Sequence, residues 1–456
     1  MFGTDGVRGI ANTELTADLA MKLGVAGTCV LAKNNPDPLI VIGRDTRISG
    51  EMLEEALTAG ILSMGGSVIK AGVIPTPGIA YLTQLYGADA GIVISASHNP
   101  FKFNGIKFFN SEGFKLDDAL EDEIEAIIKS DSLHKYAADS VHIGTVRQIL
   151  ENPLDSYRKF VMSTFGDGRL DGIKIVLDCA NGASSVVAGD VFRGLGADVT
   201  VINCEPDGIN INDNCGSTHP ENLAEAVVKT GADAGLAFDG DADRLIACDE
   251  KGGIIDGDRL ISIMEMLLKD EGKLTGNTVT VTVMSNIGFH RRAEELGIDV
   301  DVTKVGDRYV LEEMMKTGCV IGGEQSGHII LREFASTGDG MISGLQLLKA
   351  YVRYGKPMSE LAGAMRIYPQ VLINARVSNS EKYRWNENEA VAEAVAEAEK
   401  KIGSTGRVLV RPSGTEPLVR VMIEGEDPEK IRPIAEDLAK FIEEQLSGEE
   451  QEAVAE

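Results

Sequence analysis

Net positive charge is absent from this sequence, through an excess of acid rather than a shortage of base. Its 456 residues carry 44 Lys and Arg against 71 Asp and Glu, a formal charge of -27. A field of that sign repels phosphate backbones and anionic lipid, which argues against nucleic acid and anionic membrane surfaces as partners. A phosphorylated small molecule then requires its own local cluster of basic side chains. Paired cysteines are missing too. The six cysteines, at 29, 179, 204, 215, 248 and 319, show no Cys-x-x-Cys spacing, and a chain this long builds a core without disulfide staples. Reduced, mostly buried thiols in a cytoplasmic protein are the expectation. No apolar run approaches the ~20 residues that span a bilayer. The opening Met-Phe-Gly-Thr-Asp leads into a motif-like segment, with no export signal expected. The Gly-rich stretch 3–9 is not a Walker loop, because no Gly-Lys-Ser/Thr follows it. His134, His142, His219 and His290 have no metal-ligand spacing and are read as structural or surface residues.

What is present is a soluble globular composition, 43% hydrophobic and 25% charged, long enough for roughly three to four domains. A strand–helix–strand order recurs three times: 39–43, 51–64 and 65–69; 173–177, 184–195 and 196–201; 279–283, 289–296 and 297–300. Units of this kind imply right-handed crossovers and a mostly parallel sheet. A second echo supports the repeat. Gly-Ala-Asp-Ala-Gly occurs at 87–91 and at 231–235, an offset of 231 − 87 = 144, which sets Ser97 opposite Asp241. Lys-Thr-Gly at 229–231 returns at 316–318. The fold expected is three related α/β domains with mostly parallel mixed sheets, plus a C-terminal α+β domain, around a central cleft. Their bounds are 1–152, 153–252, 253–366 and 367–446, with 447–456 a disordered acidic tail.

Four polar loops carry the chemistry. Ser-Ala-Ser-His-Asn-Pro, 95–100, follows the apolar run 92–94 and presents Ser97 and His98 at a strand's carboxyl end, where open α/β sheets bind ligands. Alone, this is also how an ordinary Ser-rich turn looks. Asp-Gly-Asp-Ala-Asp-Arg, 239–244, follows another apolar strand. Read as extended chain, it projects Asp239, Asp241 and Asp243 to one side. Three crowded carboxylates call for a hard divalent cation, and Mg²⁺ leaves positions open for phosphate. An EF-hand is excluded, since Arg244 and Glu250 stand where its loop wants Gly and Glu. Gly-Glu-Gln-Ser-Gly-His, 323–328, offers Glu324, Gln325, Ser326 and His328 to a polyol. Arg-Pro-Ser-Gly-Thr-Glu-Pro, 411–417, with Arg420 shortly after, suits a phosphate monoester: guanidinium forks, hydroxyls and approachable amides. Lys107 is a candidate acid/base or phosphate contact, and Arg8 and Arg44 are candidate neighbours of a phosphorylated Ser97.

These four motifs, in this order over essentially the whole chain, resemble those of the α-D-phosphohexomutase superfamily. The resemblance implies that Ser97 is the phosphoserine and binds one Mg²⁺ per chain together with Asp239, Asp241 and Asp243. It implies that Lys107 is the acid/base, His98 the serine's neighbour, and Arg8 and Arg244 charged site residues. Glu324, Ser326 and His328 then meet the sugar, while Arg411, Ser413, Gly414, Thr415 and Arg420 hold the phosphate not being transferred. A hexose 1,6-bisphosphate is the implied intermediate and activator. The last domain is expected to close over a small phosphosugar, and the chain to work as a monomer or homodimer. The Phe-Gly-Thr-Asp-Gly-Val-Arg-Gly opening and Gln325 are most similar to the branch acting on glucosamine phosphates. Ser95 stands where Thr is common in the family. Alternatives are the mannose- and glucose-phosphate branch, a metal-dependent phosphomonoesterase with Ser97 as nucleophile, and a phosphosugar sensor without turnover.

Overall fold

Short runs rich in Ile and Val make strands that can be covered on both faces. The computed structural model describes residues 1–446 except Thr4, Asn34, Asp131, Ser132, Gly414 and Thr415, and only the backbone of His134. The expected tail, 447–456, lies outside the described residues. The first sheet contains β1 (Val7–Ile10), β2 (Leu39–Arg44), β3 (Ser67–Val73), β4 (Ala90–Ile94) and β5 (Phe103–Asn110), in the order β1-β5-β4-β2-β3. The second contains β6 (Lys174–Asp178), β7 (Asp198–Ile202), β8 (Ala234–Phe238), β9 (Leu245–Asp249) and β10 (Ile254–Ile255), in the order β10-β9-β8-β6-β7. The third, from β11 (Thr278–Thr282), β12 (Asp299–Thr303), β13 (Ile321–Gly323) and β14 (Ile329–Leu331), runs β12-β11-β13-β14.

The repeat is therefore structural: β2, β6 and β11 each pair in parallel with two neighbours. The sheets are mixed around this parallel heart of three strands. After β4, β8 and β13 the chain turns straight back, so β5, β9 and β14 pair antiparallel. A loop this short cannot make a crossover. Those three turns hold the Ser97, Asp239 and Glu324 motifs. One expected helix, 184–195, is broken. A 3₁₀ turn, Ala183–Val186, precedes the helix Ala188–Gly194, with Val187 off helical geometry at φ -143.

The chain divides into two compact units. The larger, residues 1–285 and 296–364, holds the first three sheets. The smaller contains 286–295 and the residues from 365 on, so the stretch 253–366 is interrupted. Asn286 accounts for this: its side chain accepts from the Tyr368 amide at 3.0 Å and donates to the Tyr368 carbonyl at 2.9 Å. In the smaller unit β15 (Gln370–Arg376), β16 (Arg407–Pro412) and β17 (Leu418–Glu424) form an antiparallel sheet in the order β15-β17-β16. The helices Glu389–Ile402 and Pro428–Leu446 cover it. No helix among the described residues is long and apolar enough to cross a membrane.

Packing in the first domain turns on a close helix crossing. Helices Ala17–Leu31 and Gly50–Ser63 meet at Gly24 and Gly60. A Cβ on Gly24 would lie 2.5 Å from the Leu57 carbonyl oxygen, and one on Gly60 would run into the Met21 carbonyl oxygen. Alanine is the better helix former by roughly 1 kcal/mol, yet Gly60→Ala is expected to lower stability by about 1–3 kcal/mol through overpacking. Urea unfolding checks the sign.

Candidate active site

The first three motif loops converge within the larger unit. The aspartate loop is a turn, not the extended segment expected: Ala242 is left-handed at φ 57. The turn still gathers the acids, because one ligand oxygen each from Asp239, Asp241 and Asp243 all lie within 4.8 Å of one another, every one buried. Ser97, itself left-handed at φ 51, donates from Oγ to Asp239 Oδ2 at 2.6 Å. Its amide donates to Ser95 Oγ at 3.0 Å, and Ser95 donates on to Asp45 Oδ2 at 2.6 Å. His98 Nδ1 lies 3.4 Å from Ser97 Oγ.

Lys107, projecting from β5, is fully buried. Its Nζ donates to Asp241 Oδ2 at 2.9 Å, pairs with Asp5 at 3.0 Å and lies 3.9 Å from Asp243. Burial alone would favour the neutral amine, but Asp241, Asp5 and Asp243 outweigh it and keep Lys107 charged above its ordinary range. Asp5 also pairs with Arg8 and, at 2.7 Å, with Lys115, which reaches Asp307 at 2.5 Å. Thr76 Oγ1 donates to Asp241 Oδ2 at 2.7 Å. Burial pushes Asp239 well up, and Asp243 and Asp241 push it further. For Asp243 burial acts upward, but His328, Lys107 and Arg244 win and hold it down. Asp241 Oδ1 and Asp243 Oδ1 are buried without a hydrogen-bond partner. A buried trio of carboxylates with two orphaned oxygens and a hydroxyl beside it fits a divalent cation.

The sugar-loop residues separate. Glu324 accepts from the Gly306 amide at 3.0 Å, and Ser326 is exposed. Gln325 donates to Asp256, the N-cap of the helix Gly257–Asp270, at 3.3 Å. His328 turns inward, with Nδ1 3.5 Å from Asp243, Nε2 3.5 Å from Asp307 and the Gly338 amide donating to Nε2 at 3.1 Å. Burial would lower its pKa, but the two carboxylates raise it. Arg244 lies 3.9 Å from Asp243, its Nε buried without a hydrogen-bond partner. Arg44 pairs with Glu51 at 2.9 Å and Glu54 at 3.6 Å on the following helix. All six cysteines are free.

The fourth loop belongs to the smaller unit. Arg411 and Arg420 are partners across β16 and β17. Arg420 binds Glu416 at 2.9 Å but keeps a buried, unpartnered Nε. Burial, then Arg420, lowers the Arg411 pKa. Like charges paired across a sheet favour an anion between them. Ser413 Oγ accepts the Glu416 amide at 3.2 Å. Gly414 and Thr415 lie outside the described residues. Sequence reasoning missed Asp5, Arg47, Thr76, Lys115, Asn212 and Asp307. Asp5 stood within the Gly-rich stretch already noted; the others follow no local pattern and meet the site only through the fold.

Family profiles described as phosphoglucomutase/phosphomannomutase match the chain in four blocks. They are alpha/beta/alpha domain I over residues 1–135, domain II over 155–253, domain III over 256–368 and the C-terminal domain over 372–441. The chain belongs to the phosphoglucomutase/phosphomannomutase family. Curated relatives named phosphoglucosamine mutase, from Acetivibrio thermocellus and Clostridium novyi, are each 56% identical over 98% of this chain and 99% of theirs. A phosphoglucomutase/phosphomannomutase family protein from Burkholderia thailandensis shares the fold at TM-score 0.79 and 24% identity, covering 98% of this chain and 99% of its own. N-acetylphosphoglucosamine mutase from Aspergillus fumigatus, solved with GlcNAc-6P and magnesium, shares it at TM-score 0.67 and 15% identity, over 98% and 96%.

Burial, then Arg244 and Arg8, lower the His98 pKa from 6.5 to about 4. Its neutral form is the stable one in the fold. That stability is fully present above pH 6.5 and drains away as pH falls toward about 4, because the unfolded chain takes the proton first. His98 is therefore expected to titrate near pH 4 by NMR. His98→Asn should flatten the fall in melting temperature across that window.

Proposed function

We propose that the chain is a phosphoglucosamine mutase that interconverts glucosamine 6-phosphate and glucosamine 1-phosphate, a step toward amino-sugar nucleotides. The 2.6 Å contact of Ser97 Oγ with the buried aspartate trio carries this reading. The full-length 56% identity to relatives of that name supports the choice of sugar.

Phosphorylated Ser97 transfers its phosphoryl group to the free hydroxyl of the sugar, giving the 1,6-bisphosphate. The intermediate reverses its orientation, and Ser97 takes back the other phosphate. Asp239, Asp241 and Asp243 would hold one Mg²⁺ per chain with the phosphoseryl group. Bound there, it neutralises charge on the transferring phosphoryl group. Lys107, kept charged by its carboxylates, gives the Ser97 oxygen a proton as it leaves, the proton shed by the attacking sugar hydroxyl restores it, and it screens Asp241 from Asp243. His98 stays neutral and orients the seryl group. Arg8 and Arg244 bring positive charge to a site that is otherwise acidic. Glu324 and Ser326 bind sugar hydroxyls, and His328 steadies that loop against Asp243 and Asp307. Arg411, Ser413 and Arg420, with Gly414 and Thr415, bind the phosphate that stays. Magnesium and the small phosphosugar are the partners needed, in the cytoplasm.

Ser97→Ala is expected to lose isomerase activity by roughly 10⁴-fold or more, and chelation to abolish it until Mg²⁺ is restored. Rates with glucosamine, glucose and mannose phosphates, primed by bisphosphate, test the sugar. Steady release of inorganic phosphate with no isomer formed would overturn the proposal.

A further inference from the structure

A side chain other than glycine stays at a positive φ only where its surroundings over-determine it. Ser97, at φ 51, is held through its carbonyl. Arg47 Nη2 donates to Ser97 O at 2.8 Å and to Asn99 O at 2.8 Å. Asn212 Nδ2 donates to the same two oxygens, at 2.9 Å and 3.1 Å. The rest of the guanidinium binds Pro100 O at 2.7 Å, Phe103 O at 3.0 Å and Asp45 Oδ2 at 2.8 Å. Arg47 is completely buried and belongs to the loop after β2. Asn212 comes from the second α/β domain and is itself left-handed at φ 58.

Gly240 makes room for this arrangement. A Cβ there would lie 2.6 Å from Ser97 O and 2.9 Å from Asn212 Nδ2. The nucleophile loop of one domain and the aspartate loop of the next thus approach without a side chain between them. An arginine fork and a side-chain amide, arriving from two domains, grip one pair of carbonyls.

We propose that Arg47 and Asn212 are positioning residues: a two-sided clamp on the Ser97 and Asn99 carbonyls that aims the Ser97 oxygen at the carboxylate trio. This rests on the reading of Ser97 as the phosphorylated group. The clamp acts through backbone geometry, so it governs phosphoryl transfer and leaves sugar binding alone. Its Asn212 arm also ties correct aim to correct seating of the second domain.

The test uses full-length, Mg²⁺-loaded Asn212→Ala, Asn212→Asp and Arg47→Lys proteins, phosphorylated with glucose 1,6-bisphosphate. Asn212 is the cleaner probe, since breaking the buried Arg47–Asp45 pair risks the fold. Misplacement of a reacting atom by about 1 Å costs on the order of 10²-fold. The expected result is a kcat lowered by about 10- to 100-fold, with KM changed less than about threefold. Asn212→Asp, which sets a carboxylate against two carbonyls, should fall below Asn212→Ala. The phosphoserine ³¹P resonance should shift in each variant. A variant phosphorylated on Ser97 with unchanged kcat and ³¹P line, whatever its melting temperature, overturns the clamp alone. A rise in KM at constant kcat overturns it too, by making these residues substrate contacts. Wild-type protein that never takes phosphate on Ser97 overturns the mutase reading, and the clamp with it.

Discussion

Three carboxylates shut away from water within a few ångströms of one another are the constraint on which the larger unit is built. Their mutual repulsion in a low-dielectric setting is severe unless cations stand beside them. Lys107 is one such cation, held between Asp241 and Asp5. Arg244 and His328 crowd Asp243. Asp239 stays poorly compensated, and burial together with its two neighbours pushes its pKa up. The same imbalance fits a divalent cation.

The fold answers that constraint by repetition. Each α/β domain ends a buried strand in a short turn and sends the next strand straight back, so one loop per domain stands at that strand's carboxyl end. The Ser97, Asp239 and Glu324 motifs can then come from three domains without any long insertion. Ion pairs stitch the loops together: Lys115 joins Asp5 to Asp307, and His328 stands between Asp243 and Asp307. The formal charge of -27 sets these few basic groups against a large excess of acid. Phosphate recognition in an acidic protein needs local positive charge strong enough to reverse the field.

Ser97 shows both the reach and the limit of reading the chain as text. A small-residue loop after an apolar strand marks a ligand end, and the serine could be singled out. Its left-handed backbone, and the two donors that hold it, could not. The aspartate triplet was legible as a carboxylate cluster although its geometry was read as extended; turn or strand, alternating carboxylates stayed together. Arg44 and Arg47 are equivalent in a linear string. Burial of Arg47 and the pull of Glu51 and Glu54 on Arg44 separate them only once the following helix is in place.

Local chemistry, then, was settled by the chain alone. Strand runs, turn residues and motif composition act over a few positions, and so the repeat and the four polar loops could be read directly. Tertiary structure decided the partnerships. Asn212 on a carbonyl 115 positions away, Lys115 between two distant aspartates and the helix Ile287–Leu296 anchored at Asn286 leave no periodic trace. Such contacts are fixed by how whole sheets pack, a property no short window of sequence contains.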